Sequence, residues 1–585
     1  MKTIETDKLL KEFPPVSSAE WQTAIARDLK IADPEEKLAW HTQEGMAVKP
    51  FYSAEDRRGL ACVDAAPGQF PYRRGTRATG NWCIREEIDT ADAEEANLHA
   101  QKALALGAEE IAFSRAVVRT GAELKILLRD LDEISIHFAS ADRQLMQMLI
   151  ACLNEKPRAA QISTGCDALK SVEFAAEAIL AAAQGFTPFT IHAEAFGDAG
   201  ATAVEEIGFA LAAGVDFLAS TSECGVDVNR AAAAIEFCFV VGSNYFFEIA
   251  KLRTFRLLWA RAVESFGGSR EAARARVAVR TSRWNRTVYD PHVNVLRATT
   301  EAMAAVLGGA DVVSVVPFDA CYRTPDETSR RLARNTQLLL KHEAQLGRVA
   351  DVGGGSYALE AITDLLAREG WKVMQRIEAC GGFRKAQAEG AIAQTLERSL
   401  NARNQSVAAR RRVLVGANWY ANPMGRALDR VDLQRMNADP RGAREFEEIR
   451  LRTERYAAAG GRTPHVLLAE FGALRMRAAR SSFAANFFAC AGFKLQTRRF
   501  RKAADIAAAD ADAIILCGAD PVNVTLVADL MTKLKELGRD VPVLVAGNPA
   551  NAEELRAAGI ADFVSLRDTP VEFLTKWQER LGVEG

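Results

Sequence analysis

Few residues of this chain combine the side-chain type and the spacing that acid–base, nucleophilic or metal chemistry requires. The ten Cys are scattered without a C-x-x-C pair and the seven His include no H-E-x-x-H motif, so neither a metal site nor a disulfide framework is predicted. Glu194 and Glu470 are lone carboxylates, which are more often satisfied by solvent or a neighbouring Arg than used in catalysis. His192 is interpreted as an ordinary packed or hydrogen-bonded residue.

The composition is that of an ordinary globular protein. The 585 residues carry a net charge of −2, with 49% apolar and 26% charged residues, which implies no field for nucleic acid or a membrane surface. The Arg run at 410–412 lacks interleaved aromatic residues and is interpreted as a solvated helix face. No N-terminal signal core and no apolar run of roughly 18 residues is present. We therefore expect a cytoplasmic protein that binds neither nucleic acid nor a membrane.

A strand, a loop and a helix are predicted within residues 463–493. Residues 466–469 are an apolar run typical of a buried strand, and Gly472 follows in a short loop. This is the first half of a βαβ unit, and in open parallel sheets ligands bind where such loops leave the strands. The helix is predicted to pack four side chains inward: Ala478, Phe483, Phe487 and Phe488.

Short apolar runs alternate with Ala-rich helical runs from about residue 70 to residue 420, and this alternation predicts a (β/α)8 TIM barrel. Strands are predicted at 110–113, 134–138, 160–163, 189–193, 217–220, 277–280 and 312–316. Helices are predicted at 93–106, 140–154, 168–184, 201–213, 231–264, 294–307 and 327–346.

The chain as a whole is predicted to be α/β and to divide into four parts. These are an N-terminal arm (1–60), the barrel (61–420), a linker (421–460) and a flavodoxin-like α/β domain (461–585). In the last domain, further strands are predicted at 513–516, 543–545 and 561–564.

A series of short motifs is spread along the barrel in a fixed order. They are FPYRRG (70–75), AGAT (199–202), FEIAK (247–251), TEAMAAVLGG (300–309), ARNTQ (333–337), GGSY (354–357) and EACGG (378–382). Each is weak alone, but together they resemble the adenosylcobalamin-dependent methylmalonyl-CoA mutase family. The resemblance implies a TIM barrel followed by a cobalamin-binding domain. It also implies the radical interconversion of methylmalonyl-CoA and succinyl-CoA.

The cofactor loop departs from the pattern of that family. There the strand leads to a Lys and then to Asp-x-His-x-x-Gly, whose His is the lower ligand of cobalt. Here Glu470 replaces the Lys, while Leu474, Met476 and Ala479 replace the Asp, His and Gly. No residue of this chain is therefore predicted to bind a cofactor or a metal. Met476 is interpreted as a core or loop residue, with a thioether ligand to cobalt as the less favoured alternative.

Other family sites are altered as well. Ala195 replaces the His that contacts the thioester carbonyl, so no catalytic residue is predicted. The loops after Gly75 and after Thr281 are shorter than in catalytic chains. Arg567 and Asp568 stand where the family has glycines that admit the nucleotide tail of cobalamin. Asp167, within a motif like the Asn-Asp-x-Leu-Lys of the family, is predicted to cap a helix.

Over most of its length the chain most resembles the small, non-catalytic subunits of heterodimeric methylmalonyl-CoA mutases. That resemblance implies a 1:1 complex with a catalytic large subunit, which would bind both adenosylcobalamin and the CoA ester. The N-terminal arm would either wrap around the partner or fold back on its own barrel. Two alternatives remain open at this stage. One is a regulatory or scaffold protein, or a subunit of a related acyl-CoA mutase, and the other is a self-sufficient enzyme of altered chemistry.

Overall fold

The N-terminal arm consists of short elements laid against the rest of the chain. A computed structural model describes residues 16–114, 118–155, 158, 160–182, 185–519 and 521–583, so Leu9, Leu10, Pro14 and Pro15 of the predicted arm lie outside it. The arm contains α1 (Ser18–Leu29), α2 (Pro34–Leu38) and the hairpin of β1 (Trp40–His41) with β2 (Ala47–Val48).

Two aromatic contacts hold the described part of the arm. The Trp21 and Phe51 rings lie 4.1 Å apart, and the Trp40 ring lies 5.4 Å from Phe247 of the barrel. The described arm thus folds back on its own barrel, although α1 contributes no buried residue.

Eight parallel strands close into a barrel, which confirms the predicted (β/α)8 fold. They are β3 (Cys83–Ile88), β4 (Glu110–Phe113), β5 (Ser135–Phe138), β6 (Ile162–Asp167), β7 (Phe186–His192), β8 (Ile235–Val241), β9 (Arg276–Thr281) and β10 (Val312–Ser314). Consecutive strands pair around the barrel, with one register shift between β6 and β7 at Ser163–Cys166, and β10 closes it against β3. Most strand residues are buried on both faces, as a parallel sheet covered by helices requires.

The helices surround the barrel, and several of them begin at a side-chain cap, such as α3 at Asp92 and α12 at Asp326. They are α3 (Ala93–Ala105), α4 (Gly121–Leu127), α5 (Arg143–Glu155), α6 (Val172–Ala181), α7 (Ala193–Asp198), α8 (Ala203–Glu223), α9 (Val228–Ala233), α10 (Tyr245–Ser265), α11 (Val293–Leu307), α12 (Glu327–Leu338) and α13 (Tyr357–Ala379). The AGAT motif acts locally: Gly200 has φ +109° between α7 and α8, and Thr202 forms a reciprocal capping box with Glu205.

Two predicted barrel elements are wrong. Residues 217–220 are not a strand but lie within α8, where the helix is buried on nearly all sides and shows no amphipathic period. The predicted helix 231–264 contains β8 and then α10, separated by Gly242, Ser243 and Asn244. β8 is buried on both faces, so its apolar run merges with the helical pattern beside it. Strand β3 was not predicted.

A helical linker joins the barrel to the second sheet. It comprises α14 (Phe383–Ala388), α15 (Ala391–Ala408), α16 (Leu433–Ala438) and α17 (Arg444–Ala458). Glu447 of α17 accepts a hydrogen bond from the Val288 backbone at 2.7 Å and pairs with Arg441 at 2.7 Å. Trp284, after β9, shares an apolar cluster with Phe446 and Phe487. The barrel, linker and C-terminal sheet therefore share packed core.

The C-terminal domain is a five-stranded parallel sheet of flavodoxin-like order, β12-β11-β13-β14-β15. Its strands are β11 (His465–Glu470), β12 (Lys494–Arg499), β13 (Ala513–Cys517), β14 (Val543–Ala546) and β15 (Asp562–Val564). Its helices are α18 (Leu474–Ala489), α19 (Ala503–Ala507), α20 (Val524–Glu536), α21 (Ala552–Ala557) and α22 (Pro570–Arg580).

The cofactor-loop helix α18 buries its apolar side chains in its second half. Phe487 and Phe488 are buried as predicted, whereas Ala478 is exposed and that part of the prediction is wrong. Among the helices that the structure describes, none is long and apolar enough to cross a membrane.

Candidate functional site

The His192 side chain lies at the carboxyl end of β7, at the mouth of the barrel. Its Nδ1 is 2.8 Å from Oε1 of Glu194, and its Nε2 is 3.0 Å from the carbonyl oxygen of Gly165. Glu194 is therefore not the lone carboxylate expected from the sequence. Both ring nitrogens face acceptors, and an imidazole can donate from both only when it is protonated.

The protonation of His192 agrees with this geometry. Burial alone would lower the pKa of the imidazole, but the hydrogen bond and the charge of Glu194 outweigh burial and raise it to about 9. At neutral pH the ring is a cation without a free lone pair, so it can serve neither as a general base nor as a metal ligand.

The remaining groups at this mouth are also paired internally. Arg280, at the end of β9, forms an ion pair with Asp198 at the end of α7. Burial opposes the charge of Arg280, but Asp198 raises its pKa above the usual value. Ala195 is exposed in the first turn of α7 and offers only a methyl group. Asp167 does not cap α6, whose N-cap is Ser171, and instead accepts hydrogen bonds from the backbone of Leu169 and Lys170.

The interior of the barrel is filled by a network of charged side chains. Arg85 of β3 contacts Glu236 of β8 at 3.0 Å, and these strands are not neighbours, so the contact crosses the barrel. Arg276 lies 2.6 Å from Glu236 and 3.3 Å from Glu110. Burial raises the pKa of Glu236, but Arg85 and Arg276 overcome it and hold that pKa well below its usual range.

His137 extends this network toward β6. It donates to or accepts from Ser163 at 2.8 Å and lies 3.8 Å from Glu236. Burial, followed by the charge of Arg85, lowers the pKa of His137 well below its usual value, so the ring is neutral. These side chains occupy the barrel axis, and a long ligand cannot thread along it without displacing them.

The FPYRRG motif is structural in this chain. Arg73 and Glu360 form a buried ion pair at 2.9 Å, and Arg74 contacts Asp351 at 2.6 Å. Arg253 of α10 pairs with both carboxylates. The motif residues thus connect the segment before β3 to α10 and α13, and they do not point into the mouth of the barrel.

The second candidate region is the carboxyl edge of the C-terminal sheet. Glu470 ends β11 and lies 3.7 Å from Nε of Arg477, so it has the Arg neighbour that the sequence suggested. Leu474 and Met476 occupy the first turn of α18 and are 68% and 40% exposed. The interpretation of Met476 as a core or loop residue is therefore wrong. His465 is the single His of residues 461–585 and lies at the opposite, amino end of β11.

The chain's own side chains lie in the crevice at the switch point of this sheet, between the ends of β11 and β13, and over the end of the neighbouring strand β14. The Phe471 ring packs against the backbone of Gly518 so closely that a Cβ there would collide with it. The guanidinium of Arg480 covers Gly547, where a Cβ would lie 2.9 Å from its Cζ. Sequence reasoning identified neither residue, although an aromatic residue directly after the strand was a usable signal.

Arg567 does not provide the bulk that the sequence suggested. It is exposed, and Asp568 turns back to accept a hydrogen bond from the Ser565 backbone at 2.6 Å. The residues around the crevice do not fit cobalamin, because no imidazole lies near it and Phe471 and Arg480 occupy its floor. Among the described residues, no group of three or more His, Cys, Asp and Glu side chains could hold a metal ion.

Comparison with known proteins gives a consistent result. The family model described as methylmalonyl-CoA mutase matches residues 41–120 and 160–462. The methylmalonyl-CoA mutase small subunit of Porphyromonas gingivalis is 35% identical, covering 99% of this chain and 99% of that protein. The small subunit of Streptomyces virginiae is 31% identical, with 98% of each chain covered. The methylmalonyl-CoA mutase of Rhizobium meliloti is 29% identical over 77% of this chain and 69% of its own length.

Proposed function

Since the chain belongs to the methylmalonyl-CoA mutase family, we propose that it is the non-catalytic member of a two-subunit mutase. The observation that carries the proposal is the filled crevice of the C-terminal sheet. Phe471 and Arg480 occupy the place where a cofactor would enter, while the sheet and barrel around them are complete. The fold has been retained without a site for the cofactor.

The partner would be a catalytic large subunit that binds both adenosylcobalamin and the CoA ester. Adenosylcobalamin supplies the radical on which this family's isomerisation depends. In this chain three charged side chains occupy the barrel axis: Arg85, Glu236 and Arg276. The His192 ring is hydrogen-bonded to Glu194. These contacts support a chain that binds neither the thioester nor the cofactor. We infer that it acts as a 1:1 structural partner in the cytoplasm.

The arm offers the surface for pairing. Helix α1 buries none of its residues, and Val16, Trp21 and Leu29 are 70%, 46% and 52% exposed. A helix that shows apolar side chains to solvent gains free energy when a partner covers them. The exposed side of α1 is therefore suited to contact a second subunit, and obligate interfaces commonly bury about 2,000 Å² or more.

The proposal is tested by co-expressing the chain with a large subunit that carries the intact Asp-x-His-x-x-Gly motif. Size-exclusion chromatography should show a 1:1 complex, and succinyl-CoA isomerisation should require the large subunit. Turnover by this chain alone, or a large subunit that is fully stable and active without it, contradicts the proposal.

The role of α1 is tested separately. Leu29→Ser should weaken the complex without lowering the melting temperature of the isolated chain, because Leu29 is exposed there. Leu180→Ser on α6 is the matched control, since Leu180 is 55% exposed on the barrel surface. Equal weakening by both substitutions would show that α1 is not the contact.

A further inference from the structure

A cavity of about 670 Å³ lies at the carboxyl rim of the barrel, over the ends of β8 and β9. The first turns of α8 and α10 and the end of α15 form its walls, and the β1–β2 hairpin contributes the segment from Trp40 to Glu44. His192, Glu194 and Arg280 do not line it, so it is distinct from the barrel mouth. Its volume is within the usual range for small-molecule sites.

The charges that line this cavity do not balance. Lys251 is held by two carboxylates, Glu206 and Glu248, each at 2.6 Å. Together with Arg403, Arg411 and Arg412 the lining carries four cationic side chains against the three carboxylates of Glu44, Glu206 and Glu248, an excess of one positive charge. Within the described ranges of the chain, no ion pair of these three arginines lies within 4 Å.

Arg403 and Arg412 converge on one side chain of the cavity wall. Both guanidinium carbons lie 4.8 Å from the ring centroid of Trp284. Arg403 donates to the carbonyl oxygen of Ala201 at 2.7 Å, and Arg412 donates to Ser243 Oγ at 3.2 Å. Each of these guanidinium groups therefore hydrogen-bonds only to a neutral acceptor, and the carboxylates of Glu44 and Glu248 act on both from beyond ion-pair distance.

Two further observations indicate that polar groups of the cavity lining could bind a ligand. Nε of Arg403 and Nε1 of Trp284 are buried donors without a hydrogen-bond partner in the part of the chain that the structure describes. Burial lowers the pKa of Arg412 to about 10, and the nearby charge of Arg403 acts in the same direction. A buried donor or cation without a partner costs free energy, which an anion in the cavity would recover.

The end of α10 adds to this preference. Asn244 makes no side-chain capping bond at the N-terminus of this 21-residue helix, which faces the cavity and has Glu248 as the acidic residue of its first turn. The helix terminus strengthens a site that the arginines and the cavity already define.

We propose that this cavity binds a small organic anion bearing phosphate or carboxylate groups. Arg403 and Arg412 would hold the anion by charge-assisted hydrogen bonds, and the uncapped end of α10 would face it. Because the hairpin that contains Glu44 also contacts α15 through Gln43, whose Nε2 donates to the Ser399 carbonyl at 2.8 Å, a bound anion would lie beneath the base of the arm.

The proposal is tested by isothermal titration calorimetry of the full chain at low ionic strength, with pyrophosphate and citrate as separate probes. Saturable binding of pyrophosphate indicates a phosphate ligand, and saturable binding of citrate indicates a carboxylate ligand. Arg403→Gln and Arg412→Gln should each weaken binding by about tenfold or more. Arg398→Gln is the control, because Arg398 lies on the exposed side of the same helix as Arg403 and outside the cavity.

A folding defect is separated from a binding defect by two measurements. Removing a cation from a lining with excess positive charge should leave the melting temperature unchanged or raise it, whereas loss of a structural guanidinium would lower it. Arg412→Lys keeps the charge without the planar fork and should retain part of the affinity. The absence of saturable heat with both probes up to about 10 mM overturns the proposal. Equal losses in the Arg398→Gln control would also overturn it.

Discussion

Replacing Glu194 by Gln should change the ionisation of His192. In the wild-type chain the imidazole lies 2.8 Å from the Glu194 carboxylate and 3.0 Å from the Gly165 carbonyl. The variant keeps a hydrogen-bonding group of the same shape but removes the negative charge. Burial then becomes the dominant influence, so the pKa of His192 should fall from about 9 toward or below its ordinary value of 6.5.

The free energy involved follows from the two pKa values. A difference between 6.5 in the unfolded chain and about 9 in the folded chain corresponds to about 3 kcal/mol. This is an upper bound, because the His192 side chain is 29% exposed. Since the folded-state pKa is raised, the stabilisation is fully present below pH 6.5 and is lost as the pH rises through 9. The variant should lack this loss and be less stable than wild type at pH 6.

Two measurements check this reasoning. Histidine-selective NMR titration, assigned with His192→Gln, reports the pKa directly, and urea unfolding at pH 6 and pH 9.5 reports the stability. Glu177→Gln is the control, because Glu177 pairs with the exposed Arg143 and lies far along the chain from any His contact. A wild-type His192 that titrates near 6.5, or a pKa near 9 in Glu194→Gln, would refute the proposed pairing and reopen a catalytic role for this ring.

Three further outcomes are expected. Titration of the purified chain with adenosylcobalamin should give no spectral sign that the lower base of the cofactor is replaced. The Met476→His substitution alone should not restore cobalamin binding. A stoichiometric complex with either the wild-type chain or this variant would show that the crevice opens. Glu236→Gln should lower the free energy of unfolding in urea by about 3–5 kcal/mol, because it leaves the charges of Arg85 and Arg276 undercompensated in the barrel interior. A loss below about 1 kcal/mol would show that water reaches the two guanidinium groups. Deleting residues 1–40 should weaken pairing with the large subunit while the circular dichroism of the barrel is kept, and pairing of undiminished affinity would exclude the arm.

The elements that the sequence predicted best are those with one clear pattern. Strand β4 and helix α11 were placed within a residue, because β4 is a short apolar run and α11 combines an apolar periodicity with Gly308 directly after its end. β8 was missed because a strand buried on both faces has no alternation to separate it from a buried helix. β12 was missed for the opposite reason, since its sequence KLQTRR is mostly exposed at the sheet edge and lacks an apolar face.

The candidate site likewise contains features that the sequence predicts and features that it does not. Substitutions at aligned positions, such as Ala195 and Leu474, could be read directly from the sequence. The pairing of His192 with Glu194 and the packing of Phe471 on Gly518 could not, because they depend on where loops from different strands meet. The network of charged side chains inside the barrel could be predicted only in part from the sequence. Charged residues such as Glu236 within an apolar run were visible, but their partners lie on strands far apart in the chain.

The way in which the crevice is filled explains how such a chain can fold without a cofactor. An open crevice at a sheet edge exposes backbone and apolar atoms that a bound ligand would otherwise cover, and folding would then depend on that ligand. Here Phe471 covers Gly518 and Arg480 covers Gly547, so the cover is part of the chain itself. The barrel interior is likewise filled by side chains of the chain itself, because the charges of Arg85, Glu236 and Arg276 compensate one another across its axis. Both replacements support the proposal that the chain folds without cofactor or substrate. The exposed apolar side chains of α1 are then left for the proposed partner subunit to cover.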